Sequence, residues 1–356
     1  MSKKENIKSL TFAELESFCK ENNIPKFRAE QIFRQIYFSG AQSFQEMKLL
    51  PSEVKDILIE NFEYNSFKEY KKFISIDGSV KFLFTLHDGN KIEAVYMPWI
   101  TDEDEKPERT TLCVSSQVGC ALDCKFCATG TLDLKRNLEI HEIVSQVLNV
   151  ESEINEKITN IVFMGMGEPL LNYKNVLKSI EILSDLKMPK IARKKITVST
   201  SGVIPKIYKL ADLEKPVKLA LSLHATTNGV RDKIVPLNQK SNISELMDAI
   251  EYYYRKTKLP ITYEYIPFEN LNDTEDDAKR LAKIYKRVPS RINLIPFNDI
   301  SFTNPQGISA ELKATKASEI QRFSTQIRNY GGVVTVRDTF GSDIDAACGQ
   351  LALSEK

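Results

Sequence analysis

Three closely spaced cysteines are the residues of this sequence whose types and spacing most clearly suit chemistry. Cys120, Cys124 and Cys127 follow a C-x3-C-x2-C pattern, without a further cysteine or histidine inside the loop. A structural zinc site needs four protein ligands, whereas an iron–sulfur cluster held by three thiolates keeps one iron free for another ligand. The pattern therefore favours a redox-active iron–sulfur cluster. A zinc site that takes its fourth ligand from a distant part of the chain remains the alternative.

Alternating strand and helix patterns from about residue 109 predict the fold that holds this loop. Apolar runs predict strands at 110–115, 159–165, 196–201, 217–223, 261–267, 291–297 and 333–338. Amphipathic helices are predicted near 138–150, 173–187, 241–256, 274–287 and 309–329. This alternation is typical of an α/β fold with a parallel sheet. Six such units predict a partial, open (β/α)6 barrel, with ligands at the carboxyl ends of its strands.

The residues before this barrel divide into two smaller predicted units. Residues 1–70 predict a helical domain, in which Thr11 and Glu14 form a capping box at the start of the first helix. Residues 71–108 show a period-two pattern with turns at Asp77-Gly78 and near Asp88, which predicts an antiparallel β unit ending in an exposed linker over 101–108. The barrel then spans 109–340, and a C-terminal segment spans 341–356.

Polar residues and glycines follow several of the predicted strands. They are Gly167 and Glu168 after the second strand, Ser199 to Gly202 after the third, Ser222 and His224 after the fourth, and Asn298 after the sixth. Each alone is typical of a loop, but together they indicate a binding site at one end of the barrel. Glu168 could accept a hydrogen bond from the ammonium group of a ligand. His141 is predicted on the solvent-facing side of its helix, and no role is assigned to it.

Two further cysteines lie outside the loop and are separated by most of the chain. Cys113 lies in the first barrel strand, and Cys348 precedes a glycine in a polar C-terminal loop that we expect to be exposed. Sequence alone leaves open whether they are related. Cys19 is predicted as a buried apolar residue of a helix. In a chain of 356 residues, six cysteines fit reduced thiols better than a disulfide framework.

Composition excludes several classes of protein. The chain is 42% hydrophobic and 27% charged with a net charge of +1, which is ordinary for a globular protein. A basic field over the whole molecule is therefore excluded, and any RNA site must be a local patch. Neither a membrane-length apolar run nor a signal-peptide pattern is present, so we expect a cytoplasmic protein without a membrane partner, and a monomer.

Taken together, these motifs resemble the radical S-adenosylmethionine (SAM) superfamily. More narrowly, the chain is similar to the dual-specificity adenine-C2 methyltransferases of bacterial ribosomal and transfer RNA, over nearly its full length. The resemblance lies in Cys113 to Cys120, the three-cysteine loop with Ala128-Thr-Gly130, Gly165 to Asn172, Ser222-Leu-His224, Asn293 to Asn298 and Asp343 to Leu351. The three-cysteine motif alone indicates only the superfamily, and the C-terminal Ala-Cys-Gly-Gln narrows it.

The resemblance implies the cofactors and their residues. Cys120, Cys124 and Cys127 would hold a [4Fe–4S] cluster whose fourth iron chelates SAM, and one electron would cleave SAM to a 5′-deoxyadenosyl radical. Seven residues match family positions that bind SAM: Gly167, Glu168, Ser199, Ser222, Leu223, His224 and Asn298.

The resemblance also implies a route to C2 of adenine, a carbon that is not a nucleophile. A first SAM would methylate Cys348, and the radical from a second SAM would remove a hydrogen from that S-methyl group. The carbon radical would add to an adenine of 23S rRNA in the peptidyl transferase centre, or to the adenine next to a tRNA anticodon. Cys113 would resolve the covalent adduct, and a cellular reductant would reopen the Cys113–Cys348 disulfide.

The identity of the base that removes the ring proton stays open at this stage. Glu93 matches a family position described as a proton acceptor, although the residues alone predict an outward-facing strand carboxylate there. We favour Cys113, because it must lie close to Cys348. The N-terminal helices resemble the accessory RNA-binding region of the family. Candidate phosphate contacts are Lys26, Arg28, Arg34 and the run Arg193-Lys194-Lys195.

Three other functions remain in play. A related family that methylates C8 of the same ribosomal adenine and confers antibiotic resistance shares the cysteine set, although Gly167 to Asn172 and Gln117 to Gly119 look more like the C2 enzymes. A non-catalytic RNA-binding module would use the three loop cysteines for a structural metal and would not need Cys348. A radical enzyme with a small-molecule substrate would likewise turn over without Cys348.

Overall fold

The computed structural model describes residues 4–100 and 107–355, so most of the predicted linker over 101–108 lies outside the described residues. Three N-terminal helices are α1 (Phe12–Glu21), α2 (Phe27–Tyr37) and α3 (Ser52–Asn61). The predicted capping box is present, because Thr11 Oγ1 accepts from the Glu14 amide and the Glu14 carboxylate accepts from the Thr11 amide. Cys19 is buried between these helices, as predicted.

A single ten-stranded sheet forms the centre of the molecule. Its strands in chain order are β1 (Phe67–Ile74), β2 (Val80–Leu86), β3 (Lys91–Trp99), β4 (Arg109–Cys113), β5 (Asn160–Phe163), β6 (Ile196–Thr200), β7 (Lys218–Ser222), β8 (Ile261–Tyr265), β9 (Ser290–Leu294) and β10 (Val334–Val336). Their order across the sheet follows the order in the chain. Strands β1 to β4 pair antiparallel, and β4 to β10 pair parallel. All seven predicted barrel strands are therefore confirmed.

Helices fill the six crossovers between the parallel strands. They are α4 (Ile140–Ile154), α5 (Tyr173–Leu183), α6 (Ile204–Ala211), α7 (Asn228–Ile234), α8 (Ile243–Thr257), α9 (Glu275–Tyr285), the one-turn α10 (Ile308–Glu311) and α11 (Ala317–Asn329). Helices α6 and α7 were not among the predicted helices. Within the described ranges β10 pairs only with β9, so the barrel is open, as expected for a (β/α)6 arrangement.

Two apolar clusters support the sheet and its loops. The larger cluster is continuous from the N-terminal helices through the sheet to α11. A smaller one, which includes Phe126, Ile266 and Phe268, lies at the carboxyl end of the strands, with Cys124 and Cys127 packed against it. The cysteine loop is thus anchored by apolar side chains of its own and of the loops after β7 and β8.

Candidate active site

The carboxyl ends of the parallel strands enclose a cavity, which we call the cluster cavity. Its lining includes nine of the residues predicted for the site: Cys120, Cys124, Cys127, Gly167, Glu168, Ser199, Ser222, His224 and Cys348. These residues come from three different strand ends, the cysteine loop and the C-terminal segment. The fold therefore brings together positions that are spread over more than 200 residues of sequence.

The three loop cysteines are close enough to influence one another. Burial, followed by the charges of Cys127 and Cys120, raises the pKa of the Cys124 thiol. Burial is also the main reason that the pKa of Cys120 rises to about 11 and that the pKa of Cys127 rises. Such thiols stay protonated at neutral pH until a cation displaces their protons, as metal binding does.

Gly167 and Glu168 form the tight loop after β5. Gly167 has φ +92°, and a Cβ on it would lie 2.4 Å from Gln117 Cβ, so only glycine fits. The Glu168 carboxylate accepts from the Ser201 amide at 2.9 Å and from the Leu170 amide at 3.0 Å. Burial nevertheless raises the pKa of Glu168 to about 7. An ammonium group in the cavity would stabilise its ionised form.

His224 follows β7 and is buried as a neutral imidazole. Burial, and secondarily the charge of Arg231, lowers its pKa to about 3. The Ile266 amide donates to Nδ1 at 3.2 Å, so the ring proton is assigned to Nε2. The Phe126 ring packs against the imidazole at 4.6 Å between centroids. His224 can therefore act as a hydrogen-bond donor through Nε2.

A buried arginine that the sequence analysis did not single out organises the same strand ends. Arg231 on α7 is 1% exposed. Its guanidinium donates to the backbone carbonyls of Ser201, Ser222 and Leu223 at 2.6, 3.1 and 3.0 Å, and to Asn238 Oδ1 at 3.0 Å. Arg231 thus joins the loop after β6 to the loop after β7. Leu223 itself does not line the cluster cavity, and its side chain is buried.

A second cavity, which we call the thiol cavity, lies beside the first. Cys113 and Cys348 both line it, together with Asn298, Arg337 and Phe340. Cys348 lines both cavities and is solvent-exposed. Burial, then the charge of Cys348, raises the pKa of Cys113 to about 12. All six cysteines are free thiols in the structure.

The C-terminal segment that carries Cys348 is tied to both sides of the site. The Ala128 amide donates to Gly349 O at 2.7 Å, next to the cysteine loop. On the other side, Asn298 Nδ2 donates to Cys348 O at 3.0 Å. Asn298 therefore contacts the segment that presents Cys348, and it lines the thiol cavity rather than the cluster cavity.

Glu93 does not point outward, so the interpretation from strand alternation alone was wrong. Its side chain is fully buried, 3.5 Å from Lys81 Nζ, and Lys81 is buried as well. The Leu353 amide donates to Glu93 Oε2 at 2.9 Å. Burial raises the pKa of Glu93, and the bonds to Leu353 and Lys81 act in the opposite direction. The C-terminal segment covers this face of β3, which is why an interior carboxylate is found there. Glu93 lies outside the lining of both cavities.

The prediction for His141 was also wrong. It is 6% exposed, with Nδ1 2.9 Å from Ser66 Oγ and Nε2 2.7 Å from Glu139 Oε2. The sequence shows one apolar stripe on α4, which packs into the larger apolar cluster. The side of α4 that carries His141 also packs, against the segment just before β1. His141 therefore joins the barrel to the N-terminal region.

Comparison with known proteins places this geometry in a family. Residues 114–282 match the model of the radical SAM superfamily, and residues 5–63 match that of the ribosomal RNA large subunit methyltransferase N-terminal domain. A probable dual-specificity RNA methyltransferase RlmN of Cytophaga hutchinsonii is 41% identical over 99% of this chain and 94% of its own length. That of Thermotoga neapolitana is 43% identical over 99% of this chain and 98% of its own length. The chain belongs to the RlmN family of dual-specificity RNA methyltransferases.

A solved structure agrees with the fold of this RlmN-family enzyme. The crystal structure of a radical SAM methyltransferase from Sphaerobacter thermophilus aligns with a TM-score of 0.89 at 37% identity, covering 98% of this chain and 100% of that one. The chain is accordingly a radical SAM transferase with a partial barrel and an N-terminal helical region. In residues 4–100 and 107–355, every helix is too short or too polar to cross a membrane.

Radical SAM membership implies SAM and a [4Fe–4S] cluster, and the donor set of the cluster cavity fits both. Thiolates are the ligands that iron–sulfur clusters prefer. In the described part of the chain, no group of three or more His, Cys, Asp or Glu side chains is spaced to hold one metal ion. A [4Fe–4S] cluster is bound differently from a single metal ion. Each thiolate binds a separate iron, so the cysteine sulfurs lie farther apart than the ligands of one ion do. Binding of the ammonium group of SAM by Glu168 stays a prediction.

The candidate phosphate contacts have partners inside the protein. Arg28 donates to Leu49 O at 3.0 Å, Arg34 pairs with Glu30 at 3.1 Å, and Arg193 donates to Lys215 O at 2.7 Å. Lys26 lies 3.6 Å from Glu16, whereas Lys194 and Lys195 are exposed. A role of these side chains in RNA binding stays a prediction.

Proposed function

We propose that this enzyme methylates C2 of an adenine in the peptidyl transferase centre of 23S rRNA and C2 of the adenine next to a tRNA anticodon. The observation that carries the proposal is the position of Cys348 at the junction of the two cavities. Cys348 shares one cavity with the three loop cysteines and the other cavity with Cys113. A methyl group on Cys348 would be reachable from the first cavity and by RNA in the second.

The cluster and SAM, when bound, supply a methyl group and a carbon-centred radical; two SAM molecules are consumed per turnover. The residues of the chain do the rest. Cys348 carries the methyl group as a thioether, and its carbon forms the new bond to C2. After loss of the C2 proton and of the unpaired electron, which the bound cluster would take back, the Cys113 sulfur attacks the Cys348 sulfur. The S–C bond then breaks, its electron pair is protonated on the methyl carbon, and a disulfide remains for a cellular reductant to reopen.

Cys113 suits the role of the base better than Glu93. Cys113 lines the cavity that Cys348 also lines, whereas Glu93 is paired with Lys81 and bonded to Leu353 outside that cavity.

The proposal is tested by expressing Cys113→Ala in cells. This variant should accumulate RNA joined covalently to Cys348, because the adduct forms but cannot be resolved. Cys113→Ala combined with Cys348→Ala is the matched control and should carry no RNA. A Cys113→Ala protein free of RNA would contradict the covalent route. Mass spectrometry of RNA from the wild-type reaction should locate the methyl group at C2, and an 8-methyl product would contradict the position.

The remaining partners follow from this chemistry. We infer that the protein acts in the cytoplasm as a monomer, where ribosomal and transfer RNA and a reductant for the cluster and the disulfide are present. Sedimentation of the reconstituted enzyme with a tRNA would measure its oligomeric state.

A further inference from the structure

Trp99, at the end of β3, lies one ring away from the thiol cavity. It is the only tryptophan of the chain and is 37% exposed. Its ring packs against Phe340 with 6.0 Å between centroids and an interplanar angle of 56°. Phe340 in turn lines the thiol cavity with Cys113 and Cys348. An aromatic surface therefore continues from the cavity to the solvent.

Two arginines, Arg109 and Arg337, lie near the rings of Trp99 and Phe340. Arg109 is the direct cross-strand neighbour of Trp99, and its guanidinium carbon lies 5.1 Å from the centre of the tryptophan ring. Burial, then the charge of Arg337, lowers the pKa of Arg109, so the two guanidinium groups are near each other. Arg337 also lines the thiol cavity. A phosphate close to both groups would relieve their repulsion.

Partly exposed aromatic rings beside arginines are the means by which proteins hold single-stranded RNA. Bases stack on aromatic side chains, and arginines contact the adjoining phosphates. Double-stranded RNA offers no free base face, so such a surface selects an unpaired nucleotide. Within the described residues, Trp99 and Phe340 offer this combination at the rim of the cavity that holds both reactive thiols.

We propose that Trp99 and Phe340, with Arg109 and Arg337, form a stacking platform for the unpaired base next to the target adenine. The target adenine enters the thiol cavity, and its neighbour stacks on the exposed part of Trp99. The platform rests on the proposed function for the identity of the target. It adds a binding site for a second nucleotide and explains how an adenine could be held out of a loop while it reacts.

The single tryptophan gives a direct measurement. Binding of a synthetic tRNA anticodon stem–loop to the reconstituted enzyme should quench Trp99 fluorescence. Removing the base on one particular side of the target adenine, by an abasic nucleotide, should abolish that quenching. An unchanged emission at saturating RNA, or equal quenching by both abasic oligonucleotides, would overturn the platform.

Variants separate stacking from general damage. Trp99→Ala should raise the KM for RNA by about tenfold or more, whereas Trp99→Phe should keep most of the affinity. Methylation of Cys348 by SAM without RNA should be unchanged in both, and its loss would assign Trp99 to folding instead. Tyr252→Ala is the matched control, because Tyr252 lies beside Arg255 at 5.3 Å on α8, outside both cavities.

Failure of the platform and failure of the proposed function give different results. An RNA that is methylated at C2 with the same KM by Trp99→Ala and wild type overturns the platform alone. Base-dependent quenching without any C2 methylation supports the platform and overturns the proposed substrate chemistry.

Discussion

The two halves of the site are positioned by different means. In the cluster cavity, side chains follow the ends of paired strands, so their places are set by the register of the sheet, as for Ser199 opposite Ala220. In the C-terminal segment, the position of Cys348 depends on individual hydrogen bonds to side chains far away in sequence, such as Asn298. The first arrangement is held mainly by backbone pairing, and the second is held by a few hydrogen bonds of side chains.

Each half of the site contains a buried cation that holds its loops or segment in place: Arg231 in the first half and Lys81 in the second. Arg231 holds the loops after β6 and β7. Lys81 donates to Ser354 O at 3.1 Å and to Ser354 Oγ at 2.8 Å, and it pairs with Glu93. One cation therefore fixes strand ends beside the cluster cavity, and the other fixes the end of the segment that carries Cys348. Removing each should interrupt the reaction at a different step.

The largest effect is expected for Arg231→Met. The substitution leaves three buried or partly buried carbonyls without the donor on Arg231, which should lower the free energy of unfolding by about 3 kcal/mol. It should also abolish SAM cleavage, because the loops carrying Ser201, Ser222 and His224 lose their connection. Urea denaturation and the yield of 5′-deoxyadenosine with dithionite measure the two effects. Normal SAM cleavage in a folded variant would show that Arg231 does not position the SAM site.

Arg287 provides the control for that substitution. It pairs with Asp248 and Glu251 on the surface, and its side chain is 34% exposed. Because exposed ion pairs contribute little, Arg287→Met should cost no more than about 1 kcal/mol and should leave SAM cleavage intact.

A smaller and more selective effect is expected for Lys81→Met. The Glu93 carboxylate would stay buried without its cation, which should destabilise the protein by about 3 kcal/mol. Release of the end of the C-terminal segment should stop methyl transfer to RNA, while SAM is still cleaved without RNA product. The ratio of 5′-deoxyadenosine to methylated RNA measures this uncoupling.

The double variant Lys81→Met with Glu93→Gln tests whether the unpaired Glu93 charge causes the loss of stability. It removes both charges, so stability should recover towards that of the wild type. Lys71→Met breaks only an exposed pair with Glu355 and should leave both stability and coupling nearly unchanged. RNA methylation should stay low in the double variant, because the bonds from Lys81 to Ser354 are still missing. Stability that does not recover would contradict the electrostatic cause.

The same contrast explains which features the sequence could predict. The strands and the cysteine loop were predictable because their signals are local: apolar runs of about five residues and fixed cysteine spacing. Glu168 and His224 could be placed together because both follow parallel strands, whose carboxyl ends share one edge. The resemblance to a family was needed to relate Cys348 to Cys113, since no local pattern joins residues so far apart.

The features that the sequence analysis predicted wrongly or missed depend on contacts between residues far apart in the chain. Alternation along β3 assigns Glu93 to the outside, but the C-terminal segment returns to cover that face, bringing Leu353 to its carboxylate. The apolar stripe on α4 predicts only one packed side of this helix. A second side, which carries His141, packs on Ser66. Arg231 lies in a short polar helix, Asn228–Ile234, whose composition is typical of a surface. Its burial results from two loops that close over it.

The smallest effect is expected for Asn298→Ala, which sharpens the division between the two halves. Removing the bond from Asn298 Nδ2 to Cys348 O should slow the methylation of Cys348 about fivefold, the value of one hydrogen bond of about 1 kcal/mol. The affinity for SAM should stay the same, because Asn298 lines the thiol cavity rather than the cluster cavity. Asn175→Ala removes a similar amide-to-carbonyl bond, to Leu138 O at 2.8 Å, away from both cavities and should leave the methylation rate unchanged. A weaker SAM affinity with an unchanged rate would instead assign Asn298 to SAM binding, as the family resemblance implies. Asn298 would then belong to the cluster-cavity half of the site rather than to the half that holds Cys348.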